Sequence, residues 1–289
     1  LNAPTAASWK FMFDATNGMD ASAAESALAN GGEAITLPHT WNATDAASTS
    51  NTVPYKRGKG WYRLEFDNTG NGATKWLQFD GASMVADVYL NGDKLGQHKG
   101  AFTAFRFDVT GKLKAGKNVL LVKVDNTKPT TNNDLTAIAP LSGDFNVAGG
   151  LYRGVSLVAT PNAAHFALDD LGSSGIFAKT TAVSGGTATV NINAKLKNDT
   201  KVDGNFIIQA SLLEADGKTV KKAIQKTVSI KAGASAELAQ DMSVESAHLW
   251  NGLSDPYLYK LVVELKDSAG APLDKVVQDF GIRTMLAPV

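Results

Sequence analysis

Residues 88–95 read Val-Tyr-Leu-Asn-Gly-Asp-Lys-Leu, and this short stretch is the clearest indication of the fold. Its Asn91-Gly92 pair suits a two-residue type I′ turn, because both central residues of that turn need positive φ angles. The residues around the pair are rich in β-branched and aromatic side chains, which favour strands. The stretch therefore predicts a β-hairpin.

Similar short runs, bounded by Gly, Asn and Asp, extend outward from this hairpin. In the first part of the chain they are 61–66, 75–79, 85–90, 105–109, 118–124 and 151–158. A second set comprises 188–196, 206–214, 219–230, 257–266 and 276–283, with a hairpin turn at 215–217. Helical composition is confined to 20–30, where Asp20 is the expected N-cap and Gly31-Gly32 the stop. We expect one surface helix or a helical turn in an otherwise β-rich chain.

Strands that follow one another without long helices between them indicate β-sandwiches rather than a parallel α/β sheet. The predicted fold class is therefore all-β. A chain of 289 residues exceeds the usual size of a single core, and the polar segment 160–162 contains a proline where one strand ends. We expect a first domain at 1–160 and a second at 161–289, the second with the strand count and length of an immunoglobulin-like sandwich.

The composition restricts the possible partners. The 28 basic and 28 acidic side chains balance, so we expect neither nucleic acid nor an anionic membrane as a partner. The absence of cysteine excludes disulfides and thiolate chemistry. The first residue is Leu1 rather than an initiator Met, which favours a processed, periplasmic or secreted protein over a cytoplasmic one.

The sequence contains no clear catalytic or metal-binding motif. The four histidines, at 39, 98, 165 and 248, are far apart and lack metal-ligand spacing, so no metal site is predicted and the cofactor stays unknown. The stretch 172–175, Gly-Ser-Ser-Gly, is one residue short of a nucleophile elbow and no helix follows it. Serine hydrolysis is therefore not supported.

Residues 142–153, Ser-Gly-Asp-Phe-Asn-Val-Ala-Gly-Gly-Leu-Tyr-Arg, form an acidic loop with a Gly-Gly pair that leads into a predicted strand. Such a stretch is poor core material and is typical of a loop that presents polar groups. Gly149 and Gly150 are expected to permit unusual φ angles at the loop exit. The wide loops 42–59 and 125–145 are further candidates for function, because long loops carry function more often than strands do.

A set of short motifs runs through the chain in a fixed order. They are Leu-Pro-His-Thr-Trp-Asn at 37–42, Gly-Trp-Tyr-Arg at 60–63, 79–82 with 88–92, 96–100 with 105–110, and Gly-Gly-Leu-Tyr-Arg at 149–153. Together they resemble the N-terminal sugar-binding domain of glycoside hydrolase family 2, which includes β-galactosidases, β-glucuronidases and β-mannosidases. Further motifs at 249–250, 255–259 and 280–283 resemble the end of that family's immunoglobulin-like domain.

The resemblance implies a jelly-roll sandwich, then an immunoglobulin-like sandwich, then a (β/α)₈ barrel that holds the catalytic pair. A retaining glycosidase needs two carboxyl groups about 5 Å apart. In this family the acid/base glutamate follows an asparagine, and no Asn-Glu pair occurs in these 289 residues. A barrel would also need about 250 residues. We therefore expect the chain to lack the barrel, to be inactive alone, and to have that barrel as a partner.

The resemblance to the β-galactosidase branch also implies a sugar contact. In that branch an aspartate in the loop before the Gly-Leu-Tyr-Arg motif hydrogen-bonds the terminal sugar, and Asp144 occupies the matching position. The alternative is that Asp144 caps its own loop through an Asx turn. Trp41 is the candidate rim aromatic, with core packing as its alternative, and Arg153 is expected to tie the loop to its neighbours or to the barrel.

Three hypotheses for the function stay open. The first is the non-catalytic N-terminal portion of a β-galactosidase-like glycosidase that acts on terminal β-glycosides, the chain contributing to the sugar pocket. The second is an autonomous carbohydrate-binding module. The third is a structural module whose sandwiches mediate homo-oligomer contacts.

Overall fold

The computed structural model describes residues 9–45, 55–68, 71–130, 134–135 and 147–284. The chain divides into two compact units, Leu1–Asn71 with Lys75–Ala159 and Gly72–Thr74 with Thr160–Val289. Antiparallel strands make up most of both units, with a single α-helix among the described residues. The prediction of an all-β fold is confirmed.

The described residues of the first unit form nine strands in two sheets. The strands are β1 (Trp9–Asp14), β2 (Glu33–Ile35), β3 (Lys59–Asp67), β4 (Thr74–Phe79), β5 (Val85–Leu90), β6 (Asp93–Lys99), β7 (Phe105–Asp108), β8 (Lys117–Asp125) and β9 (Val155–Thr160). One sheet has the order β2-β1-β3-β8-β5-β6, and the other has the order β7-β4-β9. Side chains such as Tyr62, Val88 and Val122 from the larger sheet pack with Leu77 and Phe79 from the smaller one. The two sheets therefore enclose one core.

The predicted hairpin and helix are both present in this unit. Asn91 and Gly92 have φ angles of 55° and 93°, and β5 pairs with β6 on either side of them. Helix α1 (Ala21–Asn30) begins after Asp20, whose side chain accepts a hydrogen bond from Ala23 N. Its buried Leu28 packs on Trp61, on the face of the larger sheet opposite the main core. The helix thus covers part of that outer face.

The second unit contains the remaining eight strands. They are β10 (Ala164–Phe166), β11 (Ile176–Ser184), β12 (Thr187–Asn198), β13 (Gly204–Leu213), β14 (Val220–Ile230), β15 (Ser235–Val244), β16 (Tyr259–Asp267) and β17 (Pro272–Phe280). In one sheet β12 pairs with β10, β11 and β15, and the other sheet has the order β14-β13-β16-β17. Alternate residues of β12 are buried against the second sheet. Among the described residues, no helix has the length and apolar character needed to cross a bilayer.

Candidate functional site

Two of the motif stretches, 37–42 and 149–153, lie side by side in the first unit. His39 N donates a hydrogen bond to Leu151 O at 2.8 Å. The Thr40 hydroxyl donates to Gly149 O at 2.8 Å, although these residues are 109 positions apart. Leu151 O accepts from His39 and Gly154 O accepts from Asp80 N at 2.9 Å, and β9 begins only at Val155, later than the predicted strand.

The two glycines of this junction are required for different reasons. Gly150 has a φ of +138°, and a Cβ there would lie 2.4 Å from His39 O. Gly149 has no positive φ, but a Cβ on it would lie 1.9 Å from the Trp41 ring. Backbone conformation therefore explains Gly150, whereas close approach to an aromatic ring explains Gly149.

Two fully buried asparagines, Asn42 and Asn126, connect the loops around the junction. Asn42 Oδ1 accepts from Gly149 N at 2.7 Å, and its Nδ2 donates to Lys56 O at 2.8 Å. Asn126 Nδ2 donates to Asn42 Oδ1 at 3.3 Å and to Val147 O at 2.9 Å. Buried amides with partners on both oxygen and nitrogen are rigid connections. The network thus fixes the ends of both wide loops that the sequence indicated.

The Trp41 ring packs against other residues of the first unit. It stacks on Phe11 with ring centroids 5.9 Å apart, and Gly60 and Gly149 lie against it. Its Nε1 donates to Lys56 O at 3.1 Å. A ring that contacts two glycines and a stacked phenylalanine has little free face for a sugar. These contacts favour the packing alternative for Trp41, and its sugar contact stays a prediction.

Arg153 joins the end of the motif to two neighbouring loops. Its guanidinium donates to Phe102 O at 3.1 Å and to Asp80 O at 3.4 Å, and it lies over the Tyr152 ring at 5.4 Å. The Tyr152 hydroxyl in turn donates to Ala101 O. The Gly-Leu-Tyr-Arg motif is thereby fixed at its far end as well.

Asp144 lies outside the described residues, as does the whole stretch 136–146. The described residues on either side, Leu135 and Val147, belong to one small apolar cluster around Met84. Leu135 is fully buried there. The segment that contains Asp144 therefore starts and finishes at the same anchored cluster.

A half-buried histidine, His39, lies at the junction. His39 Nδ1 and the Tyr62 hydroxyl are 2.8 Å apart. Burial lowers the pKa of His39 below its ordinary value of 6.5, while the charge of Glu33 acts in the opposite direction. Burial raises the pKa of Tyr62, so the phenol stays neutral. Burial also lowers the pKa of His98, elsewhere in the unit.

The first unit is expected to lose stability as the pH falls below about 6.5, the unfolded-state pKa of histidine. Below this value the unfolded chain binds protons that the folded His39 and His98 do not yet bind, and this favours unfolding. Urea midpoints measured by tryptophan fluorescence between about pH 8 and about pH 5.5 test this. The variant His39→Gln should show a weaker pH dependence; an unchanged dependence would contradict the role of His39.

Within the described ranges, the structure brings together no group of three or more His, Asp or Glu side chains that could hold a metal ion. The histidines lie in separate environments. His39 is beside Tyr62, His98 stacks on Phe105, His165 bonds Asp199 and His248 bonds Asp255.

Sequence reasoning did not identify Asn126. An asparagine in a long loop is ordinarily exposed, so its type gave no indication of burial. The one available signal was its position directly after β8, at the start of a wide loop. Its role depends on Asn42 and Val147, which are distant in sequence and meet it only in the fold.

Comparison with known proteins identifies the family of this two-sandwich chain. The family model described as "Glycosyl hydrolases family 2, sugar binding domain" matches residues 5–161, and the model "Glycosyl hydrolases family 2" matches residues 174–283. The first match alone covers more than half of the chain. The chain therefore belongs to glycosyl hydrolase family 2, as the ordered motifs predicted.

Individual relatives agree with this assignment. A β-glucuronidase of Bacteroides fragilis is 35% identical over 252 residues, which are 86% of this chain and 34% of that protein. A β-galactosidase of Bacteroides ovatus is 28% identical over 258 residues, covering 86% and 28%. The crystal structure of Bacteroides uniformis β-glucuronidase is similar with a TM-score of 0.81 and 33% identity, covering 95% of this chain and 31% of that one.

The chain spans about one third of the length of these relatives. It corresponds to their N-terminal domains, which is consistent with a non-catalytic N-terminal portion.

Proposed function

We propose that the chain serves a longer β-glycosidase, in which its first unit forms part of the rim of the pocket for the terminal sugar. The observation that carries this proposal is the fixed junction between 37–42 and 149–153. Bonds to His39, Thr40 and Asn42 anchor the exit of the loop that contains Asp144. A rigid support of this kind suits a side chain that must meet a substrate in a fixed position.

We also propose that residues 1–160 form a jelly-roll sugar-binding domain and residues 161–289 an immunoglobulin-like domain. The two compact units and the two separate family matches support this division. In this arrangement the (β/α)₈ barrel of the longer protein supplies the catalytic carboxyl groups, and the sandwiches support it.

Within the site, Asp144 is the proposed sugar contact. Its carboxylate would accept hydrogen bonds from sugar hydroxyls. Gly149, Gly150 and Arg153 support the loop through the contacts described above, and Trp41 either packs behind the loop or adds an aromatic face to the rim. The relatives are named as β-glucuronidases and β-galactosidases, so the proposed substrates are terminal β-glycosides of these two kinds.

Replacing Asp144 by alanine in the longer protein is expected to lower kcat/KM by about 100-fold, because hydrogen bonds to a charged group contribute about 1.5–3 kcal/mol each. Hydrolysis of nitrophenyl β-glucuronide and nitrophenyl β-galactoside measures this. The variant Asp144→Asn keeps one acceptor oxygen, so its kcat/KM should lie between those of the unsubstituted protein and the Asp144→Ala variant.

A matched control is Asp93→Ala, which removes an exposed carboxylate from the β5–β6 hairpin. It should leave kcat/KM unchanged. Normal activity of the Asp144→Ala protein would exclude the sugar contact. Saturable glycan binding by the 289-residue chain alone would instead favour an autonomous carbohydrate-binding module.

A further inference from the structure

The polypeptide enters the second unit at one end of the sandwich and leaves it at the other. At the entry end Ala164 pairs with Asn198, close to the start of β13 at Gly204. At the other end Tyr259 pairs with Phe280, where β16 begins and β17 finishes. Because β13 spans the distance between the ends with ten residues, the two ends are about 30 Å apart.

The exit end carries a group of exposed apolar side chains on the segment 249–258. Leu253 is 103% exposed, and Leu249 and Leu258 are 41% and 37% exposed. Trp250 is half-buried beside them. We name these four residues the exit surface. Single exposed leucines are ordinary, but three on one ten-residue segment indicate a surface that another element covers.

The segment holds Leu253 in a fixed turn. Asn251 N donates to Asp255 O at 2.7 Å, and the Ser254 hydroxyl donates to Asn251 O at 2.9 Å. The Asp255 carboxylate bonds His248 at 2.7 Å. A side chain on a rigid turn loses little conformational freedom when it is buried by a partner, which favours docking.

The chain leaves the unit directly beside this surface. Trp250 N donates to Ile282 O at 2.9 Å, and the Arg283 guanidinium lies over the Trp250 ring at 4.7 Å. Gly281 lies against both Trp250 and Leu258. Residues 281–283, near the end of the described part of the chain, therefore lie beside the exit surface.

We propose that the exit surface is the docking surface for the domain that follows this chain, with Leu253 inserted into an apolar recess of that domain. The proposal rests on the proposed function, which supplies a following (β/α)₈ barrel, and on the greater length of the relatives. The polar side chains of His248, Asp255 and Arg283 lie around the apolar centre, as in interfaces between domains. The second unit thus orients the catalytic domain.

Thiol labelling tests this directly, because the chain contains no cysteine. Leu253→Cys is introduced into the 289-residue chain and into the longer protein, and the rate of alkylation by iodoacetamide at position 253 is followed by peptide mass spectrometry. The control is Val202→Cys, since Val202 is 67% exposed and lies at the entry end of the same unit. We expect labelling at 253 to be at least about tenfold slower in the longer protein. Labelling at 202 should be equally fast in both.

Equal labelling at 253 in the two proteins would overturn the proposal. So would slow labelling in the 289-residue chain that becomes slower with protein concentration, because that would identify a second copy as the occupant. Hydrolysis of nitrophenyl β-glycosides is measured separately on the longer protein without substitutions. Slower labelling at 253 in a longer protein that does not hydrolyse these substrates would support the docking surface and reject the proposed activity. Hydrolysis with equally fast labelling at 253 would support the activity and reject the docking surface.

Discussion

Replacing Gly149 by alanine is expected to lower the free energy of unfolding of the first unit by about 3 kcal/mol. The added Cβ would lie 1.9, 2.4 and 2.6 Å from three atoms of the Trp41 ring, far inside normal contact distance. The ring has little room to move aside, because Phe11 stacks on it and Gly60 also lies against it. The strain must therefore displace either the ring or the exit of the 142–153 loop.

Urea unfolding followed by tryptophan fluorescence measures this loss. Four of the five tryptophans, at positions 9, 41, 61 and 76, belong to the first unit, so the signal reports mainly on it. Gly116→Ala is the matched control, because a Cβ at Gly116 meets nothing within 4 Å and its φ is not positive. It should change stability by less than about 0.5 kcal/mol. Equal effects of the two substitutions would reject the proposed packing.

A double substitution identifies the ring as the cause. In a Trp41→Leu background the space beside Gly149 is less crowded, so Gly149→Ala should cost less there than in the unsubstituted protein. Contacting residues commonly show such non-additivity, by about 0.5–3 kcal/mol. Additive effects of the two changes would show that the cost arises elsewhere.

Much of the fold could be predicted from the conformational preferences of short stretches of sequence. The turn at Asn91-Gly92 and the helix after Asp20 follow from backbone preferences that neighbouring residues alone decide. Strands β1, β2, β10, β11 and β15 were not predicted. The sequence of β15, Ser-Ala-Glu-Leu-Ala-Gln-Asp-Met-Ser-Val, is rich in residues of low β-propensity. Its long pairing with β12 decides its conformation, and such tertiary pairing is not visible in the strand itself.

The candidate site was also predictable only in part, because some of its features depend on local backbone preferences and others on contacts between distant residues. The Gly-Gly pair marked a special backbone position, and Gly150 has the positive φ that this implies. The requirement at Gly149 comes from Trp41, which the fold brings to it from 108 positions away. Likewise, Asn42 was noticed as part of a motif, whereas its bonds to three separate loop positions depend on the folded chain.

Replacing Asn42 by alanine is expected to lower the free energy of unfolding of the first unit by about 3 kcal/mol, since a buried group left without a partner costs about 1–3 kcal/mol. The buried backbone N of Gly149 would lose its acceptor, whereas Lys56 O would lose one donor and keep Trp41 Nε1 as the other. Asn191→Ala is the control, because it removes one solvent-accessible hydrogen bond to Asp241. Its cost should be below about 1 kcal/mol, and a similar cost for both would contradict the buried network.

Asn42→Asp separates the donor role from the acceptor role. An aspartate keeps the acceptor for Gly149 N, but it loses both donors and faces the Asp45 carboxylate, whose Oδ2 lies 2.9 Å from the present Nδ2. Burial and the neighbouring negative charge would raise the pKa of the introduced carboxyl. Its cost at about pH 7 should therefore be at least that of alanine, and should fall as the pH approaches about 5 and the carboxyl regains a proton to donate. A cost that does not change with pH would mean that Asn42 acts at this junction only as an acceptor.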